Sequence, residues 1–137
     1  MSADYPSMTT AEIRSKFLNF FEERGLKLYP SSSLVPDDPS LLLANAGMNQ
    51  FKEYYQGKKT MKEIGAISCQ KCVRTNDIDC IGEDGRHLSF FEMLGDFSFG
   101  GVSKQQACAW AFELITKEFK LSLIHISEPT RLQLISY

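Results

Sequence analysis

The chain has 137 residues, 43% of them hydrophobic, with 15 basic against 17 acidic side chains and a net charge of −2. That is the size of one domain or part of one, and the balanced charge argues against a compact polyanion-binding module. No apolar run approaches the roughly 18 residues that cross a bilayer, residues 1–10 lack the basic head and apolar centre of a secretion signal, and Cys69, Cys72, Cys80 and Cys108 are too sparse for a disulfide scaffold, so a cytoplasmic protein without a membrane partner is expected.

Thr9-Thr10-Ala11-Glu12 has the spacing of a capping box, after which Ile13, Phe17, Phe20 and Phe21 recur at helical intervals until Gly25 offers a left-handed stop. An amphipathic helix with a core-facing aromatic stripe is expected. Leu28-Tyr29-Pro30, a run of serines, Leu34-Val35-Pro36 and Asp37-Asp38-Pro39 are too broken by proline for a central strand, which predicts an edge strand and then a turn. Leu41-Leu42-Leu43 reads as a short buried element entering Asn45-Ala46-Gly47-Met48, where glycine permits a tight backbone. Residues 51–55 read as one or two helical turns, and Lys58-Lys59-Thr60 as an exposed loop.

Two strand candidates follow, residues 66–74 and 86–93, joined by a stretch rich in turn formers. Ser103 and Gln106 form a second capping box, for a helix reaching about Phe119 with Ala107, Trp110, Ala111, Leu114 and Ile115 on one face. Helix, antiparallel strands and helix give the α+β class.

The strand-loop-strand is the chemically informative part. A planar guanidinium such as Arg74 at a strand end can grip a phosphate through two parallel hydrogen bonds, a loop can fold over a polyphosphate, and an aromatic on the returning strand can cover an adenine. Spacing alone favours the plainer reading, a solvated arginine and two core phenylalanines.

Several longer strings add to this. Ser31-Ser32-Ser33-Leu34-Val35-Pro36, Asn45-Ala46-Gly47-Met48-Asn49-Gln50-Phe51-Lys52, Cys72-Val73-Arg74 and Phe90-Phe91-Glu92-Met93-Leu94-Gly95-Asp96-Phe97-Ser98-Phe99-Gly100 resemble, in order, signatures of the alanyl-tRNA synthetases, from about Thr10 to Phe119. The resemblance implies a class II synthetase fold, an antiparallel sheet flanked by helices, here incomplete. Residues 13–36 would be motif 1 and residues 66–99 motif 2, with motif 3 beyond the sequence.

The implied activity is that of an alanine–tRNA ligase, using alanine, ATP, Mg2+ and tRNA(Ala), and the sequence by itself would be inactive. Zinc would belong only to a further part of the parent enzyme. By the same resemblance Arg74 would hold the α-phosphate and act in catalysis, and Met48 would border the adenine and alanine pocket. Arg86, His87 and Glu92 would lie around the nucleotide. Adjacent strand residues face opposite ways, so only one of Phe90 and Phe91 can stack on adenine while the other enters the core; Phe91 is preferred. A motif 1 helix packs on the sheet or on a second subunit, so a homo-oligomer is compatible.

The sequence departs from the family pattern in two places. Thr75-Asn76-Asp77-Ile78 replaces a longer motif 2 loop with its lysine and histidine, and Gly101-Val102-Ser103 stands where an aromatic and a lysine are usual. Residues 121–131 match the translation of a sequencing-library adapter, so residues 1–120 are expected to carry the domain and residues 121–137 to be a non-native tail.

Other signals are weaker. Cys69 and Cys72 on one strand would face opposite ways, against zinc chelation, and Lys58, Lys59 and Lys62 read as a solvated loop before they read as an RNA contact. The alternative function is a non-catalytic nucleotide-binding or dimerisation module.

Overall fold

The computed structural model describes residues 7–75, 78–83, 85 and 87–122. The chain forms two compact units, Leu18–Val102 on one hand and Met1–Phe17 with Ser103–Tyr137 on the other. The division falls within the first helix, α1, Thr10–Glu22.

Both ends of α1 are as their local sequence predicts. The Thr9 hydroxyl accepts from the Glu12 N–H (3.3 Å), and the Glu12 carboxylate accepts in return from the Thr9 N–H (2.7 Å). These bonds hold the Glu12 carboxyl below its usual range. At the other end Gly25 takes φ 86°, the Leu26 N–H reaches back to the Phe21 carbonyl (3.1 Å), and the Gly25 N–H reaches that of Glu22 (2.9 Å). Phe17, Phe20 and Phe21 are buried, as the stripe requires.

The Leu18–Val102 unit is built on a three-stranded sheet of order β1-β2-β3, with β1 Lys27–Leu28, β2 Gly65–Val73 and β3 Phe90–Ser98. β2 and β3 pair antiparallel along nine residues, from Gly65 opposite Ser98 to Val73 opposite Phe90. β1 pairs parallel to β2, so the sheet is mixed. The expected edge strand lies one residue early and is only two residues long, because Pro30 cannot extend the ladder. Past it the chain stays on the edge of β2 through single bonds, Tyr29 N–H to the Ile67 carbonyl (2.9 Å) and Lys71 N–H to Ser31 Oγ (3.0 Å).

The second strand was expected at residues 86–93 but spans Phe90–Ser98. Its start is set by its partner: the ladder ends at Val73–Phe90, closed by the Arg74 N–H on the Ser89 carbonyl (2.9 Å).

Pleat and register sort the sheet into two faces. Ala66, Ser68, Gln70 and Cys72 share one face with Phe91, Met93, Gly95 and Phe97. A 3-10 turn, Asn49–Phe51, and a short helix α2, Lys52–Tyr55, follow the segment that covers this face. Phe51 is fully buried at the centre of an aromatic cluster, 4.8 Å from Phe97, 5.4 Å from Tyr29 and 5.9 Å from Phe99 between ring centres. The leucine run before it is not the buried element expected. Leu42 is 93% exposed, Leu41 and Leu43 are half-buried, and it is Ala44 that is fully buried. An irregular segment turns successive side chains in different directions, so three adjacent leucines do not share one interior.

In the other unit, α3, Lys104–Glu113, starts at Ser103, whose Oγ accepts from the Gln106 N–H (3.2 Å), and continues as a π turn, Leu114–Glu118. Lys16 Nζ donates to the Glu118 carbonyl (3.3 Å). The apolar face expected on this helix is only partly covered: Leu114 is buried, Trp110 and Ile115 are half-buried, and Ala107 and Ala111 are exposed. Periodicity reports where apolar residues lie on a helix, not what lies over them. The adapter-like tail from residue 123 onward falls outside the described residues.

Candidate nucleotide site

The site lies where β2 runs out. Arg74 follows the last paired residue, and its side chain turns to the face that carries Cys72 and Phe91. There its Nε donates to the Asn45 carbonyl (3.0 Å), and its guanidinium carbon stands 5.3 Å from the centre of the Phe91 ring. Among the described residues Arg74 has no other side-chain partner, and it is exposed, so both terminal nitrogens remain available to an anion. Cys72, opposite Phe91, is buried, which pushes its thiol up from the ordinary value and keeps it inert.

The covering segment is fastened to both strands. The Val73 N–H donates to the Ala44 carbonyl (2.9 Å), the Ala44 N–H to the Leu34 carbonyl (2.8 Å), and the Gly47 N–H to the Met93 thioether (3.2 Å). Glycine at 47 lets the backbone lie close to the sheet: a Cβ there would lie 3.3 Å from Phe97 Cζ, a tight contact, with Met93 Sδ at 3.7 Å and Gln70 Cβ at 3.8 Å. Met48 follows, 47% exposed, at the start of the 3-10 turn.

Of the residues singled out from the sequence, Arg74, Phe91 and Met48 belong to this region, with Arg74 and Phe91 in direct contact. Phe90 and Glu92 do not face it; they alternate onto the opposite face beside Val73 and Lys71. Phe90 does not enter the core, as one of the pair was expected to, but is 51% exposed, because β2 and β3 run beyond the short β1 and that face is uncovered at this end. His87 is exposed, three residues before β3, and Arg86 falls outside the described residues. Cys69 and Cys72 both lie within continuous β2, three residues apart and therefore on opposite faces.

Two structural residues at the site escaped sequence reasoning, Met93 and Gln70. Gln70 is fully buried, and its Oε1 accepts from the Ser32 N–H (2.9 Å), Ser32 Oγ (3.1 Å) and Gln50 Nε2 (3.1 Å). Its Nε2 donates to the carbonyls of Ser32 (3.2 Å) and Lys71 (2.8 Å). The available signal was the alternation Ala66, Ser68, Gln70, Cys72, a face of small and polar residues. Such a face suits a layer of backbone, whose polar groups need partners and which leaves little room for bulk.

A separate polar groove of about 710 Å3 runs between residues 32–39 and α2, and neither Arg74, Phe91 nor Met48 lines it. It is spanned by the ion pair of Lys52 with Asp38 (2.5 Å), and Lys59 pairs with Glu53 (2.5 Å) on the α2 side, so these two lysines are already neutralised in part. Among the described residues no three His, Cys, Asp or Glu side chains converge, so no magnesium or zinc position is assigned to this chain. No helix among them is long and apolar enough to cross a membrane.

Residues 12–128 match the family described as tRNA synthetases class II (A). The chain is 56% identical over 109 residues to a chloroplastic/mitochondrial alanine–tRNA ligase of Sorghum bicolor, covering 80% of this chain and 11% of that one. It is 51% identical over 121 residues to an alanine–tRNA ligase of Synechocystis sp., covering 88% of this chain and 14% of that one. The chain thus spans only a small part of the length of these relatives, yet a match over so much of its own length, together with the α+β fold, makes it a member of the class II (A) tRNA synthetases, with alanine–tRNA ligases as its relatives.

Proposed function

We propose that the chain is the ATP-gripping part of an alanine–tRNA ligase. In that reaction a carboxylate oxygen of alanine attacks the α-phosphorus of ATP, the bond to pyrophosphate breaks, and alanyl-adenylate forms. The 3′-terminal ribose of tRNA(Ala) then takes the alanyl group and AMP leaves. Such transfers depend on positioning and charge neutralisation more than on covalent help from the protein.

The single observation that carries this reading is the Arg74 guanidinium, anchored at Nε by the Asn45 carbonyl and set beside the Phe91 ring, with no partner at its two terminal nitrogens among the described residues. In the proposed complex those nitrogens hold the α-phosphate, Phe91 lies against adenine, and Met48 closes the pocket edge. His87 and Arg86 belong to the return limb over the phosphates. Phe90 and Glu92, on the opposite face, have no direct part. Mg2+ would arrive with the nucleotide and neutralise the departing pyrophosphate.

The alanine grip and the recognition of tRNA(Ala) lie outside these 137 residues in this reading, and residues 121–137 are a tail without a functional role. The proposed compartment is the cytoplasm, with an organelle as the second reading because some relatives are chloroplastic/mitochondrial.

The test is alanine-dependent ATP–pyrophosphate exchange, run on this chain, on a longer gene product containing it, and on Arg74→Ala in both. Exchange is expected in the longer protein alone and is expected to fall at least a hundredfold in Arg74→Ala, the scale of removing one charge-stabilising donor at a transition state. Undiminished exchange in Arg74→Ala would overturn the role of Arg74, and no alanine dependence in the longer protein would overturn the ligase reading.

A further inference from the structure

We propose that Met93 is a positioning residue for Arg74, acting through the Gly47 turn. The proposal rests on the reading of Arg74 as the phosphate-gripping residue, since that is where orientation matters. The acceptor that orients Arg74 is a backbone carbonyl, that of Asn45, and its position is only as fixed as the irregular segment carrying it.

That segment is tied to β2 through the Ala44 carbonyl and the Val73 N–H, and to β3 by the bond from the Gly47 N–H to Met93 Sδ. The backbone groups of β3 that face β2 are committed to their ladder, so this sheet face offers only side chains to the turn above it. Along the β3 part of that face the positions are Phe91, Met93, Gly95 and Phe97, of which only methionine brings a hydrogen-bond acceptor.

Gly47 is buried, and its N–H has no acceptor among the described residues but the thioether. Close to where a side chain at position 47 would begin lie Phe97 Cζ, Met93 Sδ and Gln70 Cβ, so the turn packs close over this part of the sheet face. Without that acceptor the buried N–H must swing toward water. The turn then pivots on Ala44, the Asn45 carbonyl leaves Arg74 Nε, and the guanidinium loses its fixed orientation beside Phe91.

The experiment uses the whole 15N-labelled chain at low micromolar concentration. It follows water exchange of the Gly47 N–H and Arg74 Nε–H, and measures MgATP affinity by titration, for wild type, Met93→Leu, Met93→Gln and Arg74→Ala. Leucine fills the space but accepts nothing, whereas glutamine carries an acceptor at similar reach.

Met93→Leu is expected to speed both exchanges and to weaken MgATP by about tenfold, the scale of one unsatisfied buried donor. Met93→Gln is expected to return both exchanges and the affinity toward wild type. Wild-type exchange at Arg74 Nε–H in Met93→Leu would overturn the proposal. So would failure of Met93→Gln to restore it, whether or not the leucine variant folds, because that result marks Met93 as packing alone. Altered exchange in Met93→Leu with no MgATP binding by wild type would sink the nucleotide reading while leaving the positioning intact.

Discussion

Replacing Gln70 by leucine separates shape from hydrogen bonding at the centre of the unit. The side chain is fully buried and makes five bonds, three as acceptor and two as donor. Leucine approximates its volume but leaves the partners stranded. Ser32 Oγ and the Gln50 amide can rotate toward water, so they lose little. The Ser32 N–H and the Lys71 carbonyl are backbone and cannot turn away, and the Ser32 carbonyl keeps only the Ser31 hydroxyl as donor (3.2 Å). Taking about 1–3 kcal/mol for a buried donor left unsatisfied, and less for each carbonyl, the expected loss is about 2–4 kcal/mol. That is a large part of the roughly 5–15 kcal/mol by which a typical domain is stable.

Urea titration at low micromolar concentration, where pairing through the outer edge of β3 is suppressed, reads this directly. Amide exchange at Ser32 should rise in step. Gln70→Glu sharpens the test. The oxygen replacing Nε2 would face two carbonyls, so its protonated form is favoured in the fold and its pKa is raised above the unfolded value. A raised pKa means a contribution that is full below the unfolded value and is lost as pH rises through the folded one. The glutamate variant should therefore be closest to wild type near pH 4 and worst at pH 7. A leucine variant within about 0.5 kcal/mol of wild type, the range of ordinary surface changes, would refute the account of Gln70 as the hub of this layer.

Phe91→Ala should weaken MgATP binding by about tenfold, on the scale of about 1–3 kcal/mol for one aromatic under a base, whereas Phe90→Ala should leave it unchanged; equal effects in calorimetry would remove the distinction between the faces. Asp38 accepts from Lys52 Nζ (2.5 Å) and from Ser40 N–H and Oγ (2.9 and 2.7 Å), which hold its carboxyl far below the usual range. Its contribution is present above the unfolded value of about 3.9 and is lost as pH falls further. The gap in urea midpoint between wild type and Asp38→Asn should accordingly shrink between pH 5 and pH 2, and a constant gap would contradict the clasp. Ser68 Oγ is buried with no hydrogen-bond partner among the described residues, so Ser68→Ala should be neutral or stabilising by up to about 1 kcal/mol; a clear loss in thermal melting would mean that the hydroxyl has a partner.

What could be read in advance was whatever is decided locally. The capping box at Thr9, the left-handed stop at Gly25 and the cap at Ser103 each depend on a few consecutive residues, and each is found where the sequence puts it. β2 lies within one residue of its expected limits, so Arg74, expected to close it, stands just past its end. The start of β3 could not be read, because Leu88, Phe90 and Phe91 look alike in a strand pattern and only pairing with Val73 decides which belongs to the ladder. Arg74 and Phe91 stand out as candidate site residues through family motifs, but their neighbours do not. Asn45 bonds to Arg74 across 29 positions, Gly47 to Met93 across 46, and Ser32 to Gln70 across 38. A glutamine inside a strand and a methionine before a leucine carry no local mark of such roles.

The two faces of the β2–β3 hairpin show why those distant contacts are needed at this site. Near its open end one face carries Phe90, Glu92, Lys71 and Val73, exposed or half-covered among the described residues. The other carries the small and polar β2 residues Ala66, Ser68, Gln70 and Cys72 beside Phe91, Met93 and Phe97, under the stretch of backbone from Ala44 to Gly47. A roof of bulky side chains would bury more apolar surface, but it would offer no carbonyl to an arginine. A roof of backbone does, provided that its own polar groups are satisfied, and Met93 and Val73 satisfy them here. On the reading proposed above, the glycine at 47, the methionine at 93 and the guanidinium at 74 form one solution to one problem: presenting a charged fork at a strand end in a fixed direction, its outer nitrogens without a partner among the described residues.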